Sequence, residues 1–133
     1  MVKESVLPIN SDSDVVAARQ RGREVASLLG FTQTDLTIIA TAISELARNI
    51  VTYAKHGEIV IKNSHVGDKV GIVVVARDKG PGIADISQAM QDGFSTSGGL
   101  GLGLPGVKRL VDEFHLVSDA NSGTTVTIKK WKR

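Results

Sequence analysis

Cysteine is absent from the 133-residue chain, which excludes a disulfide framework, a thiolate nucleophile and any zinc site built on sulfur. Aromatic residues are nearly as scarce: one tryptophan, one tyrosine and three phenylalanines, 4% of the chain. Single-stranded nucleic acid is held largely by stacking bases on aromatic rings. A nucleic-acid partner is therefore set aside, despite a formal net charge of +2 and a basic ending at Lys129, Lys130, Lys132 and Arg133. No apolar run approaches the roughly 18 residues of a membrane span. The opening residues include Lys3 and Glu4 and lead into no long apolar segment, unlike a signal peptide. These absences predict a cytoplasmic protein with no membrane partner.

What is present suits one compact domain over residues 1–133. Hydrophobic residues make up 41% and charged residues 23%, ordinary values for a globular chain long enough to bury a core unaided. The pattern predicts a short strand over 4–9, with Pro8 favouring a sheet edge. A helix follows the caps at 11–14 and ends at Gly30. Thr32 and Asp35 resemble a capping box that opens a long helix to about Ala54. Two strands, 58–63 and 70–77, come next, and the second is almost entirely β-branched, as a buried central strand would be. A short helix near 86–90, a flexible stretch over 91–103, a helix from Pro105 to about Phe114 and strands over 116–119 and 124–131 complete the order. Strands succeed one another as hairpins with no βαβ alternation. The expected fold is α+β: a two-layer sandwich, its mixed, mainly antiparallel sheet covered by helices on one face.

The long helix has two unlike sides. At 100° per residue, Leu36, Ile39, Ala40, Ile43, Ala47, Ile50 and Ala54 gather into a core stripe. The other arc collects Thr41, Glu45, Arg48, Asn49, Thr52 and His56. Glu45 and Asn49 are four apart and so stand one above the other. A solvated face would explain this arc, but Asn is a poor mid-helix residue and Thr41, Thr52 and His56 bring no fixed charge. The alternative is a cleft in which Glu45 accepts a proton and the Asn49 amide oxygen ligates a hard cation. Magnesium needs only a few protein oxygens when phosphates and waters supply the rest.

Two glycine loops suit a nucleotide. Asp78-Lys79-Gly80-Pro81-Gly82 follows the buried strand; its glycines permit close approach to a flat ligand, and Asp78 can accept from an exocyclic amine. A plain turn would use the same residue types. Between Gly98 and Gly103 four of six residues are glycine, directly ahead of a helix, so that backbone N–H groups are offered to a phosphate. Leu100, Leu102 and Leu104 suit a lid that excludes water. Gly101, Gly103 and Gly106 spell the dinucleotide fingerprint, but no strand precedes them as that motif requires.

In combination these elements resemble the GHKL nucleotide-binding family of gyrase, Hsp90, histidine kinases and MutL. Glu45-Leu46-Ala47-Arg48-Asn49 is similar to its N box, Asp78 to Gly82 to its first glycine box, Gly99 to Gly103 to its second, and Gly123-Thr124-Thr125 to its closing Gly-Thr element. The resemblance implies ATP and Mg2+ as cofactors. It implies Glu45 as general base and Asn49 as the magnesium ligand. Asp78, Gly80, Gly82 and Thr125 would line the base pocket, and Gly98, Gly99, Leu100, Gly101, Leu102 and Gly103 the phosphate lid. Within the family the chain most resembles the RsbT-type serine/threonine switch kinases of the bacterial stressosome, on segments 42–50, 92–101 and 104–114 and the Lys130-Trp131 ending. That implies phosphorylation of STAS-domain scaffold and antagonist proteins, and activation of a downstream PP2C-type phosphatase or equivalent regulator. The alternatives are an anti-sigma-factor kinase and a non-catalytic nucleotide-sensing module. One departure stands out. The related anti-sigma-factor kinases carry an arginine beside the lid glycines, and residues 92–103 contain none; Arg48, Lys108 and Arg109 are the candidate replacements for meeting the γ-phosphate.

Overall fold

The computed structural model describes residues 4–80, 103–119 and 123–133. Their elements run β1 (Ser5–Ile9), α1 (Asp12–Leu28), α2 (Gln33–Asn49), a π-helical turn (Ile50–Ala54), β2 (Gly57–Val66), β3 (Lys69–Asp78), α3 (Gly103–Leu110), β4 (Glu113–Asp119) and β5 (Gly123–Trp131). The five strands form one sheet in the order β1-β2-β3-β5-β4, and all four pairings are antiparallel. The expected α+β sandwich is found. Pro8 lies in an edge strand, where its missing N–H costs no ladder bond on the open side. The short helix expected near 86–90 falls outside the described residues.

Strand alternation decides which face the helices cover. Ile59 and Ile61 on β2, Ile72, Val74 and Ala76 on β3, and Val126 and Ile128 on β5 are buried and share one face. Against them lie Val15, Ala18, Val25 and Ala26 of α1 and Leu36, Ile39, Ile43, Leu46 and Ala47 of α2. The helices approach closely because Gly22 of α1 has no β-carbon: one placed there would sit 2.2 Å from Ile43 Cδ1. Leu104 and Val107 of α3 join the same cluster. Each such side chain, fully withdrawn from water, contributes roughly 1.5–3 kcal/mol.

Two helix ends differ from the sequence-based expectation, and the strands expected over 58–63 and 116–119 extend to Gly57–Val66 and Glu113–Asp119. The long α-helix ends at Asn49 and continues as a π-turn, closed by Lys55 N–H donating to Ile50 C=O at 2.9 Å. Lys55 then takes a positive φ of 74°, uncommon for a residue with a β-carbon. The last helix stops at Leu110, and Phe114 pairs with Ile128 inside the sheet. Helical spacing of apolar residues over 104–114 hid that change; Val111 and Phe114 pack on the core from the bend and the strand that follow Leu110.

The start of α2 is capped as expected, with Thr32 Oγ1 accepting from Asp35 N–H at 3.2 Å. The Asp35 carboxylate instead faces Lys130 Nζ at 3.8 Å, joining the helix start to the end of β5. Thr32→Ala should cost about 1 kcal/mol of stability, read as a lowered urea midpoint at unchanged slope. An unchanged midpoint would show that the cap contributes nothing.

Candidate active site

The site is built from the end of α2, the end of β3 and the start of β5. Glu45 lies one turn before the end of α2 with only 1% of its surface exposed. A solvated polar face is therefore excluded for this residue. Helix α2 is buried almost all round from Ala42 to Ala47, because α1, the sheet and α3 enclose it. Glu45 Oε1 accepts from Arg48 Nη1 at 3.3 Å, three residues along the same helix. Glu45 Oε2 is buried with no hydrogen-bond partner among the described residues, and so is Ser44 Oγ. An orphaned buried carboxylate oxygen is costly and, in a native fold, points to a ligand that the site is shaped to receive. Asn49 follows one turn later, half-buried, where the α-helix gives way to the π-turn. Such turns are frequent at functional sites.

Asp78 ends β3, and its Oδ1 accepts from two backbone donors: Gly80 N–H at 2.8 Å and Thr124 N–H at 3.3 Å. One carboxylate oxygen is thus fixed by the main chain, which sets the direction of the other. The pairing of β3 with β5 is what brings Thr124 opposite Asp78. Beside them Ser118 Oγ and Thr124 Oγ1 are 2.8 Å apart.

The glycines serve close packing here. A β-carbon on Gly80 would lie 2.6 Å from Ala54 Cβ and 2.8 Å from Ala54 Cα. The π-turn therefore rests directly on the loop after β3, and room for a flat ligand is not what the described structure requires of Gly80. Gly123 has a φ of +84°, and a β-carbon on it would lie 2.1 Å from the Asp78 carbonyl oxygen. No side chain fits between the two strands at that point.

Glu45, Asn49, Asp78 and Gly80 thus take their places around the joined ends of α2, the π-turn and β3, and Gly103 begins α3, which packs against α2. Gly82, Gly98, Gly99, Leu100, Gly101 and Leu102 lie outside the described residues. Thr125 is not brought to this group. It pairs with Arg77 on one side and Val117 on the other, and Val117 is 69% exposed. Its side chain belongs to the face of the sheet opposite α1 and α2. Thr124 is the residue on the covered face, in register with Asp78. The sequence held the signal for this: Val126 and Ile128 are the apolar positions of β5, so even-numbered residues point inward.

The donor set suits magnesium bound through a nucleotide. No group of three or more His, Asp or Glu side chains among the described residues forms an all-protein metal cage. Asn49 offers one amide oxygen, in keeping with a cation that draws its other ligands from phosphate and water.

Residues 34–133 match the family described as histidine kinase-, DNA gyrase B-, and HSP90-like ATPase. The chain belongs to this family. It is 55% identical, over all 133 residues and the whole length of the relative, to serine/threonine-protein kinase RsbT of Bacillus subtilis (strain 168). It is also 34% identical over 105 residues to an anti-sigma F factor of Geobacillus kaustophilus (strain HTA426), covering 74% of this chain and 71% of that one. The fold is similar to a crystal structure of the RsbU and RsbW domains of a Mycobacterium tuberculosis protein, with a TM-score of 0.64 at 22% identity, over 99% of this chain and 33% of that one.

Gly123→Ala tests the β3–β5 junction. The left-handed backbone alone costs a residue with a β-carbon about 1–2 kcal/mol, and the contact with Asp78 adds to it. Thermal unfolding should shift down and binding of a fluorescent ATP analogue should weaken; wild-type values for both would show the junction to be tolerant.

Proposed function

We propose that this chain is an ATP- and magnesium-dependent serine/threonine protein kinase of a partner-switching module, acting on STAS-domain proteins and engaging a PP2C-type phosphatase or equivalent regulator in turn. The observation that carries the catalytic part is Glu45: a buried carboxylate with one oxygen held by Arg48 and the other without a partner among the described residues. Simple retention of a nucleotide has no use for such a group. A serine or threonine hydroxyl brought to Oε2 finds an acceptor already aimed and already stripped of water. Full-length similarity, at 55% identity, to a serine/threonine-protein kinase supports the same reading.

The residues divide the work. Asp78, oriented by Gly80 N–H and Thr124 N–H, presents its second oxygen to the exocyclic amine of adenine. Thr124 replaces Thr125 as the hydroxyl beside that carboxylate. Asn49 would hold the cation, which would supply neutralisation of phosphate charge. Glu45 takes the hydroxyl proton as the acceptor oxygen bonds to the γ-phosphorus and the bond to the bridging oxygen of ADP breaks. Gly103 and the glycines before it contribute the phosphate-facing backbone. The kinase and its partners meet in the cytoplasm, and residues 1–133 act as one domain. Among the described residues no helix is long and apolar enough to cross a membrane.

Two measurements test this. Labelled ATP incubated with the protein and a STAS-domain partner should label that partner on serine or threonine. Glu45→Gln should lower the transfer rate by about 10²–10⁴-fold while ATP still binds; undiminished labelling removes Glu45 as the base. Asn49→Ala should weaken nucleotide binding in magnesium by about tenfold, the effect of roughly 1.4 kcal/mol, and leave binding in EDTA unchanged. Equal loss in both conditions would assign Asn49 to the nucleotide and not to the cation.

A further inference from the structure

Arg48 is the other half of the Glu45 arrangement, and its geometry is unusual for an ion pair that serves stability alone. A guanidinium presents a rigid fork of donors that matches a carboxylate two bonds at a time. Here a single donor reaches a single oxygen, Nη1 to Oε1 at 3.3 Å, at the long end of hydrogen bonding. The two partners also sit in different surroundings. Glu45 is 1% exposed and Arg48 31%, so the bridge runs from the interior to the surface along one turn of α2. The second oxygen of the same carboxylate is buried and unpartnered among the described residues. A bidentate Arg–carboxylate pair would engage both oxygens. This one ties down the first, and the second has no hydrogen-bond partner among the described residues.

We propose that Arg48 is a positioning residue: it holds Glu45 through Oε1 so that Oε2 is the oxygen that receives the acceptor hydroxyl's proton. The inference rests on the reading of Glu45 as general base. Arginine suits the task because its guanidinium is a rigid, directional set of donors, so its contact with Oε1 holds the carboxylate in one rotamer. Its place in the last turn of α2 is favourable too, since a cation there complements the helix dipole. The role differs from that of meeting the γ-phosphate directly, which was one expectation for Arg48 from the sequence. In the structure the described guanidinium contact is to Glu45.

A double-mutant cycle separates the two roles, using the full chain, labelled ATP and the STAS-domain acceptor. Arg48→Met should lower kcat for transfer by about a hundredfold, the scale of an ångström's misplacement of a catalytic group. The KM for ATP should change by less than about twofold, because the loss falls on the chemical step. Arg48→Lys, which keeps the charge, should recover about tenfold of that loss. In the Glu45→Gln background Arg48→Met should have almost no further effect, since residues acting through one another are not additive. An equal further loss in that background overturns the proposal and puts Arg48 on the phosphoryl group itself. Wild-type kcat for Arg48→Met overturns it as well, and so does a loss confined to nucleotide affinity. If Glu45→Gln transfers at the wild-type rate, the general-base reading fails instead, whatever Arg48 does. Circular dichroism checks folding, and Arg48→Gln takes the place of Arg48→Met in the same cycle if the methionine variant does not fold.

Discussion

Everything at this site depends on the enclosure of α2. Its middle is closed in by α1, the covered face of the sheet and α3, and that enclosure is made of ordinary apolar contacts: Ile43 into the gap left by Gly22, Ile39 and Leu46 in the same cluster, and Leu104 and Val107 from the far side. Polar groups carried into such surroundings lose their water. Glu45 is the residue to which this happens, and the price is met only in part by Arg48. The apolar packing is therefore what turns an unremarkable acidic residue of a helix into a dry, directional acceptor.

A second constraint comes from the sheet. Strand β3 has β5 as its neighbour, with β4 on the outside, so the last residue of β3 faces the beginning of β5. Asp78 meets Thr124 there and is fastened by backbone donors from both sides. Gly123 permits the strands to close over one another, and Gly80 permits the π-turn to settle on the loop after β3. Carboxylate, turn and strand end are thereby locked to the same helix that carries Glu45 and Asn49. Asp78 and Glu45 are therefore parts of one packed unit, joined through the π-turn and the Gly123 junction.

Much of this was legible beforehand, and the reasons are specific. Thr32 and Asp35 announced the start of α2, because only a few residue types can satisfy free N–H groups at a helix start. The β-branched run over 70–77 announced a central strand, and it is one. Glu45 and Asn49 were legible as a stacked pair from a spacing of four. The end of the same helix was not: a π-turn uses residues that fit an α-helix equally well, and Ala54 gave no sign that it would be pressed against Gly80. The resemblance implied Thr125, because a short motif does not carry the parity of its strand. The apolar residues at 126 and 128 do carry it.

Local chemistry belongs to the sequence. Which segments become helix or strand, which loops offer glycine backbone, and which side chains can accept a proton or ligate a cation follow from residue type and spacing, and so did the family. Tertiary structure decided the rest. That Glu45 is buried and not solvated, that its second oxygen has no partner among the described residues, that Asp78 is aimed by Thr124 N–H, and that Thr125 turns away are consequences of contacts between segments far apart in the chain. Spacing along a helix or strand can say which residues share a face. Only packing can say what that face meets, because burial and the lost competition of water are set by whatever else the fold brings against it.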